Sequence, residues 1–324
     1  MSILVYIRNV NGKIKKQSLE LTSYAQALSE SLDLPIVGIV IGEIAEEELQ
    51  ALKLYGMKRV LRVNDAQYNK RVNRVYTKII EQAVIETDAK YILFPDNNQG
   101  KAIAPRLSVR IKAGFVPHVM DLPHSYEPFM VYKRAFTGKA LASVQVNTDR
   151  KILTPMLNSF GLRENPVDLT IEDFVPEIDE PQSRLNVVNK ELEAGGVSLM
   201  DADIVVSGGR GLRSAENFSI LEELANTLGA ATACSRPVAD DGWRPANEHV
   251  GQTGKIIAPN VYFAIGISGA IQHVAGVSGA KCIVAINTDG DAPIFDVADY
   301  GLVGDGLKIV PELNSLLKEV LADK

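Results

Sequence analysis

Short β-branched apolar runs alternate with amphipathic stretches along most of this chain, and that alternation constrains the fold more than any other feature. Residues 3–7 read as a strand, after which Leu21, Tyr24, Ala25, Leu28 and Leu32 recur at helical spacing. Residues 36–41 form a second apolar strand, followed by a helix whose Glu46, Glu47 and Glu48 suit the positive end of a helix dipole. Residues 60–63, a helical stripe of Val72, Val75, Tyr76, Ile79 and Ala83, and residues 91–94 continue the series. Strands and helices in alternation imply a parallel sheet covered on both faces.

The pattern then changes. Residues 115–119, 130–136, 141–146 and 152–156 follow one another with only short turns and read as antiparallel additions to that sheet. From 165 to 181 the chain is acidic and carries Pro166, Pro176 and Pro181, which exclude a helix interior and suggest a connecting segment. The boundary falls near Gly195 and Gly196, dividing the chain into 1–192 and 193–324. Beyond it the alternation resumes with 204–206, a helix bearing Phe218, Leu221, Leu224 and Leu228, strands at 261–267, 282–286 and 300–303, and a last amphipathic helix at 313–321. The expected fold is α/β, with two three-layer α/β/α domains, the C-terminal one a doubly wound parallel sheet. A length of 324 residues lets each domain bury its own core.

Composition removes several functions. Forty acidic against 34 basic side chains give a net charge of −6 with no basic stripe, which argues against a nucleic-acid partner. Cys234 and Cys282 belong to no C-x-x-C pair and suggest a reducing compartment. No apolar run approaches a membrane span, so direct membrane insertion is not expected, and residues 1–13 read as a first strand rather than a signal or transit peptide, so a cytoplasmic location is expected. Histidines at 118, 124, 249 and 273 make no zinc spacing with the cysteines, and there is no G-x-S-x-G elbow, so no metal site is expected. His118 and His124 are expected to be ordinary loop or surface residues, and both cysteines small buried apolar ones.

Ligands of an open parallel sheet sit outside the carboxyl ends of its strands. In the second domain those ends carry Ser207-Gly208-Gly209-Arg210-Gly211, Ser268-Gly269-Ala270-Ile271-Gln272-His273, Asn287, and Gly304-Asp305-Gly306. Glycines let a ligand approach the backbone and expose N–H groups to a phosphate. Arg210 adds a charge-assisted contact, Asn287 and Asp305 suit a ribose or adenine edge, and Ser214 is a candidate helix N-cap. One such loop is what any α/β turn needs; four together favour a nucleotide-containing ligand. The run Gly251-Gln252-Thr253-Gly254-Lys255-Ile256 has the wrong spacing and position for a P-loop, and the 207–211 loop lacks the G-x-G-x-x-G register of a dinucleotide fingerprint.

The stretch VYFAIGISGAIQHVAGVSGAKCIVAIN at 261–287 resembles the signature of the alpha subunits of electron-transfer flavoproteins, as do SGGRGL at 207–212, CSRPVADDGW at 234–243, VGQTGK at 250–255 and APIFDVADYGLVGD at 292–305. In the first domain the resemblance rests on Gly100, Ala104-Pro105-Arg106-Leu107 and Ala113-Gly114. The resemblance implies one FAD held by the C-terminal domain through Arg210, Ser235, Arg236, Val250, Gly251, Gln252, Thr253, Ser268, Gly269, Ala270, Ile271, Gln272, His273, Asn287, Asp305 and, through its backbone, Gly306. It further implies redox tuning by Arg236 against the flavin ring, Thr253 toward N5 and His273 near O2, with the N-terminal domain a ligand-free, nucleotide-binding-like scaffold for a partner. The implied function is an electron carrier, not an enzyme. It pairs with a beta subunit, takes electrons from acyl-CoA or other flavin dehydrogenases in fatty acid β-oxidation, and passes them in one-electron steps to a membrane quinone oxidoreductase. The alternative is a subunit of an NADH-oxidising, electron-bifurcating flavoprotein. A third reading, an adenine-nucleotide sensor, leaves Arg236 and His273 without a purpose.

Overall fold

The computed structural model describes residues 1–136, 140–178, 187–188 and 198–322, and the chain divides into two compact units, 1–192 and 193–324. Pro181 and the Gly195–Gly196 boundary lie outside the described residues.

The first unit runs β1 (Ser2–Ile7), β2 (Asn9–Val10), β3 (Lys13–Ile14), α1 (Lys16–Leu32), β4 (Ile36–Ile41), α2 (Glu46–Leu49), β5 (Arg59–Val63), α3 (Asn73–Glu86), β6 (Ala89–Leu93) and α4 (Asn98–Ile111). It continues with β7 (Gly114–Val119), β8 (Ser125–Tyr126), β9 (Phe129–Ala135), β10 (Ala140–Gln145), β11 (Lys151–Pro155) and β12 (Thr170–Asp173). The main sheet has the order β10-β9-β7-β11-β6-β1-β4-β5-β12. Alternate residues of β1 enter opposite cores. Ile3, Val5 and Ile7 pack with Leu21, Tyr24 and Leu28 of α1, whereas Leu4 and Tyr6 pack with Tyr76, Ile79 and Ile80 of α3 and Ile103 and Leu107 of α4. That is the three-layer arrangement expected of strands apolar on both sides.

Three expectations are corrected here. Of the four runs between 115 and 156, only β9 and β10 are antiparallel additions; β11 lies parallel to both β6 and β7, because α4 carries the chain over the sheet and the hairpin returns it to fill the gap between those two strands. The acidic 165–181 stretch is also more than a connection. Within it β12 pairs parallel with β5, and its carboxylates meet basic partners on that strand, Glu172 with Arg59 at 2.8 Å and Asp173 with Arg62 at 2.7 Å. The helix expected after β4 is a single α-turn followed by a 3-10 turn at Gln50–Leu54. His118, expected in a loop or on the surface, stands in a strand, β7, with its side chain 41% exposed and its Nδ1 2.5 Å from the buried Asp96 carboxylate.

The second unit runs β13 (Ile204–Gly208), α5 (Ser219–Leu228), β14 (Ala231–Cys234), α6 (Arg236–Asp240), β15 (Val261–Ile265), α7 (Ile271–Val277), β16 (Cys282–Asn287), β17 (Tyr300–Val303) and α8 (Gly306–Ala322). All its strands are parallel, in the order β14-β13-β15-β16-β17. Val205, Ala264 and Ala285 face one core with Val277 of α7; Val206, Ile265 and Ile286 face the other with Leu221 and Leu224 of α5 and Val310 of α8. The sheet is therefore covered on both sides. From β13 the chain moves to one side to form β14 and then crosses to the other to form β15, so the winding reverses between β13 and β15, where such sheets open a crevice. Ser214 is not an N-cap: Arg213 takes φ 72°, a 3-10 turn intervenes at Glu216–Phe218, and α5 begins only at Ser219 behind Phe218.

Candidate functional site

Three glycines close the base of that crevice. A Cβ on Gly209 would stand 2.1 Å from the Gly266 carbonyl oxygen, one on Gly211 2.7 Å from Gly266 Cα, and Gly266 itself takes φ 63°. The loops after β13 and β15 thus meet backbone to backbone, joined by Gly209 N–H to the Ile265 carbonyl (2.9 Å) and Gly211 N–H to the Gly266 carbonyl (3.1 Å). No side chain fits between them, which is the physical reason for glycine at these positions.

Above this base lies a cavity of about 560 Å³, within the range of sites for cofactors and other small molecules. The loop after β14 reaches it because the Ser235 amide donates to the Gly208 carbonyl (3.0 Å) and the Val250 amide to the Cys234 carbonyl (3.0 Å). The Gln252 amide donates to the Gln272 carbonyl (2.7 Å), tying the 250–253 turn to α7, and Gly276 lets that helix approach, since a Cβ there would lie 2.5 Å from Gly251. Asn287 at the end of β16 donates from Nδ2 to the Ile267 carbonyl (2.9 Å), which fixes its side chain beside the third strand end.

The structure brings together Arg210, Ser235, Arg236, Val250, Gly251, Gln252, Thr253, Ser268, Gly269, Ala270, Gln272, His273 and Asn287 in the cavity wall. Three expected positions lie outside it. Ile271 is 64% exposed. Asp305 accepts from the Leu307 amide at the start of α8 and from Arg213 (2.8 Å), and Gly306 opens that helix near Ile265, where a Cβ would stand 2.8 Å from Cγ2. The wall also holds residues not picked out from the sequence, among them Pro237, Asp240, His249 and Asp289. Pro237 and Asp240 lie in the 234–243 run and His249 directly before the 250–255 run, so adjacency to those motifs is the signal that points to them.

Electrostatics divide the cationic side of the cavity in two. Arg236 is 60% exposed at its side chain, donates to Thr253 Oγ1 (3.1 Å) and pairs with Asp240 (3.2 Å). His273 is 6% exposed, and its Nε2 lies 2.8 Å from the phenol oxygen of Tyr262 on β15. Burial pulls its pKa down to about 4; the Val250 backbone opposes that shift and His249 adds to it. At neutral pH the imidazole is therefore neutral, a hydrogen-bonding group and not a charge. His249 is lowered as well, by burial and then by Arg236, with Asp240 acting against both. Desolvation pushes the Cys234 thiol up to about 12, so it is a packing residue despite its place beside Ser235.

The site fits an FAD on one observation above the rest. His273 Nδ1 is buried and makes no well-formed hydrogen bond among the described residues, an arrangement that costs free energy unless a ligand supplies a partner. Arg210 and the Ser268–Gly269–Ala270 backbone line the same cavity from two strand ends, as an extended nucleotide requires.

The comparisons with known proteins agree over nearly the whole length. The electron transfer flavoprotein FAD-binding domain matches residues 198–278, and the electron transfer flavoprotein domain matches residues 3–179. The chain is 33% identical over 323 residues to an electron transfer flavoprotein subunit alpha of Thermoanaerobacterium thermosaccharolyticum, covering 98% of each. It is 35% identical to that of Pseudomonas aeruginosa (97% of this chain, 99% of the relative) and 35% identical to that of Paracoccus denitrificans (98% and 100%). The chain belongs to the electron transfer flavoprotein family as an alpha subunit, with FAD the cofactor of its C-terminal domain.

Proposed function

We propose that this protein is the FAD-bearing half of a heterodimeric electron carrier, paired with a beta subunit. It accepts electrons from flavin dehydrogenases such as acyl-CoA dehydrogenases and delivers them, one at a time, to a membrane quinone oxidoreductase. The observation that carries this reading is the single cavity wall assembled from strand-end loops after β13, β14, β15 and β16, with a cation and a neutral imidazole in it. When bound, FAD supplies the redox chemistry. The protein's part is to hold and orient it: Arg210 and the Ser268–Ala270 backbone for the phosphates, Asn287 for the nucleoside end, Thr253 and His273 as hydrogen-bonding groups at the ring. Arg236, beside Thr253, provides positive charge where reduction gathers negative charge, which favours the reduced ring.

Arg236 is mostly exposed, and the cavity lies open at the strand ends, as a carrier exchanging electrons with several protein surfaces requires. The first unit serves as scaffold for the beta subunit, and the protein acts in the cytoplasm in fatty acid β-oxidation. No described helix is long and apolar enough to cross a membrane.

The test is co-expression with the beta subunit, followed by cofactor analysis and anaerobic mixing with a reduced acyl-CoA dehydrogenase. One FAD with an adenine nucleotide, bleached by the dehydrogenase and reoxidised by a quinone oxidoreductase, is the expected result. Two FAD and reduction by NADH would replace the plain carrier with a bifurcating one, and absence of flavin would refute both.

A further inference from the structure

Tyr262 is the second residue of β15, fully buried, and belongs to neither the cavity wall nor any flavin contact expected from the sequence. Its phenol makes one well-formed hydrogen bond among the described residues, to His273 Nε2 at 2.8 Å. The Ser207 hydroxyl of β13, also fully buried, stands near the phenol without a well-formed hydrogen bond. Burial raises the phenol's pKa, so it keeps its proton, and that proton needs an acceptor.

A neutral imidazole has one N–H, so one of its nitrogens donates and the other accepts. If Nε2 carried the proton, it would donate to the phenol oxygen, the phenol proton would be left with the poorly placed Ser207, and Nδ1 would be a bare buried acceptor. If Nδ1 carries it, Nε2 accepts from the phenol at 2.8 Å, and the N–H that remains for a ligand is Nδ1–H. The Val250 backbone, near the ring without a well-formed hydrogen bond to it, favours the protonated form, which agrees with a ring N–H on Nδ1.

Resting on the FAD reading for its ligand, we propose that Tyr262 is a positioning residue of the flavin site: its phenol donates to His273 Nε2, fixes the neutral imidazole as the Nδ1–H form, and so holds the otherwise unpartnered Nδ1–H as a donor for an acceptor atom of the bound cofactor. The strand core, and not the cavity loops, sets which hydrogen-bonding role the histidine plays. A fully buried tyrosine on β15 thereby has a reason to be a tyrosine and not a phenylalanine.

Ring-nitrogen chemical shifts of 15N-histidine-labelled heterodimer report the tautomer directly, the His273 signals being assigned by their loss in His273→Gln. The expected spectrum has Nδ1 protonated and Nε2 bare, with the Nδ1–H form in excess by up to about tenfold for one net hydrogen bond. Tyr262→Phe should mix or reverse the two forms while the flavin absorbance of the same sample persists. Should that variant not fold, 3-fluorotyrosine labelling of the wild-type protein makes the phenol a stronger donor at nearly unchanged shape and should move the Nε2 signal. A wild-type spectrum dominated by Nε2–H, an unchanged tautomer in Tyr262→Phe, or an Nε2 signal unmoved by fluorination would each overturn the proposal. Absence of flavin absorbance in the wild-type sample would instead defeat the FAD reading, since the tautomer is read whether or not flavin is present.

Discussion

A neutral buried His273 makes the second unit sensitive to acid by a calculable amount. The ring's pKa is about 4 when folded and 6.5 in its ordinary state. The unfolded chain therefore binds the extra proton first as pH falls, so this histidine's contribution to stability is whole above pH 6.5 and is lost progressively down to pH 4. A shift of this size corresponds to about 3 kcal/mol in all, of which about 2 kcal/mol is already lost at pH 5. The perturbation is His273→Gln, which removes the titration but keeps a hydrogen-bonding side chain. Trp243 is the only tryptophan in the chain and packs against the core of this same unit, so its fluorescence in urea reports the unfolding of this unit. Urea curves for flavin-stripped wild type and variant at several pH values from 7.5 to 5 should diverge, the wild type losing about 2 kcal/mol more than the variant by pH 5. His249, also lowered, titrates in both proteins, and only its coupling to His273 differs between them. Parallel pH dependences would show that the ring is already solvated or charged in the folded state, and would refute its assignment as a neutral donor.

Gly209→Ala should destabilise the second unit by roughly 1–3 kcal/mol, because the added methyl meets the Gly266 carbonyl at 2.1 Å; an unchanged urea midpoint would mean the two loops separate freely. Arg236→Ala should change stability by less than about 1 kcal/mol, since its pair with Asp240 is exposed, yet lower the flavin midpoint potential; spectroelectrochemistry showing an unmoved potential would remove it from the redox role. Iodoacetamide at pH 8 should modify the half-buried Cys282 before Cys234, whose thiol is buried and raised to about 12; peptide mass spectrometry finding Cys234 modified first would contradict its inert packing role.

What the sequence made legible were the features that act locally. The β-branched runs at β1, β4 and β16 declare strands buried on both faces, and the glycine-rich turns after β13 and β15 declare ligand loops because their composition is set within a few residues. The parallel pairing of β11 was not legible, since it depends on the gap that β6 and β7 leave for it. Nor was β12, whose Thr-Ile-Glu-Asp composition makes sense only once Arg59 and Arg62 stand opposite. Short β14, Ala-Thr-Ala-Cys, lacks the branched run that marks its neighbours. In the site, most residues of the cavity wall are legible from their motifs, but Pro237, Asp240, His249 and Asp289 are not. The withdrawal of Asp305 into a helix cap and a pair with Arg213, and the neutral state of His273, arise from elements far apart in sequence and could be read only from their packing.

The central claim is that the cavity at the reversal between β13 and β15 holds the protein's FAD. Its most direct measurement is a structure of the purified heterodimer determined with its bound cofactor. The account predicts flavin density in contact with Arg236, Thr253 and His273, with the phosphates beside Arg210 and the Ser268–Ala270 backbone. Flavin seated elsewhere, or a cavity that stays empty while the preparation is yellow, would contradict it.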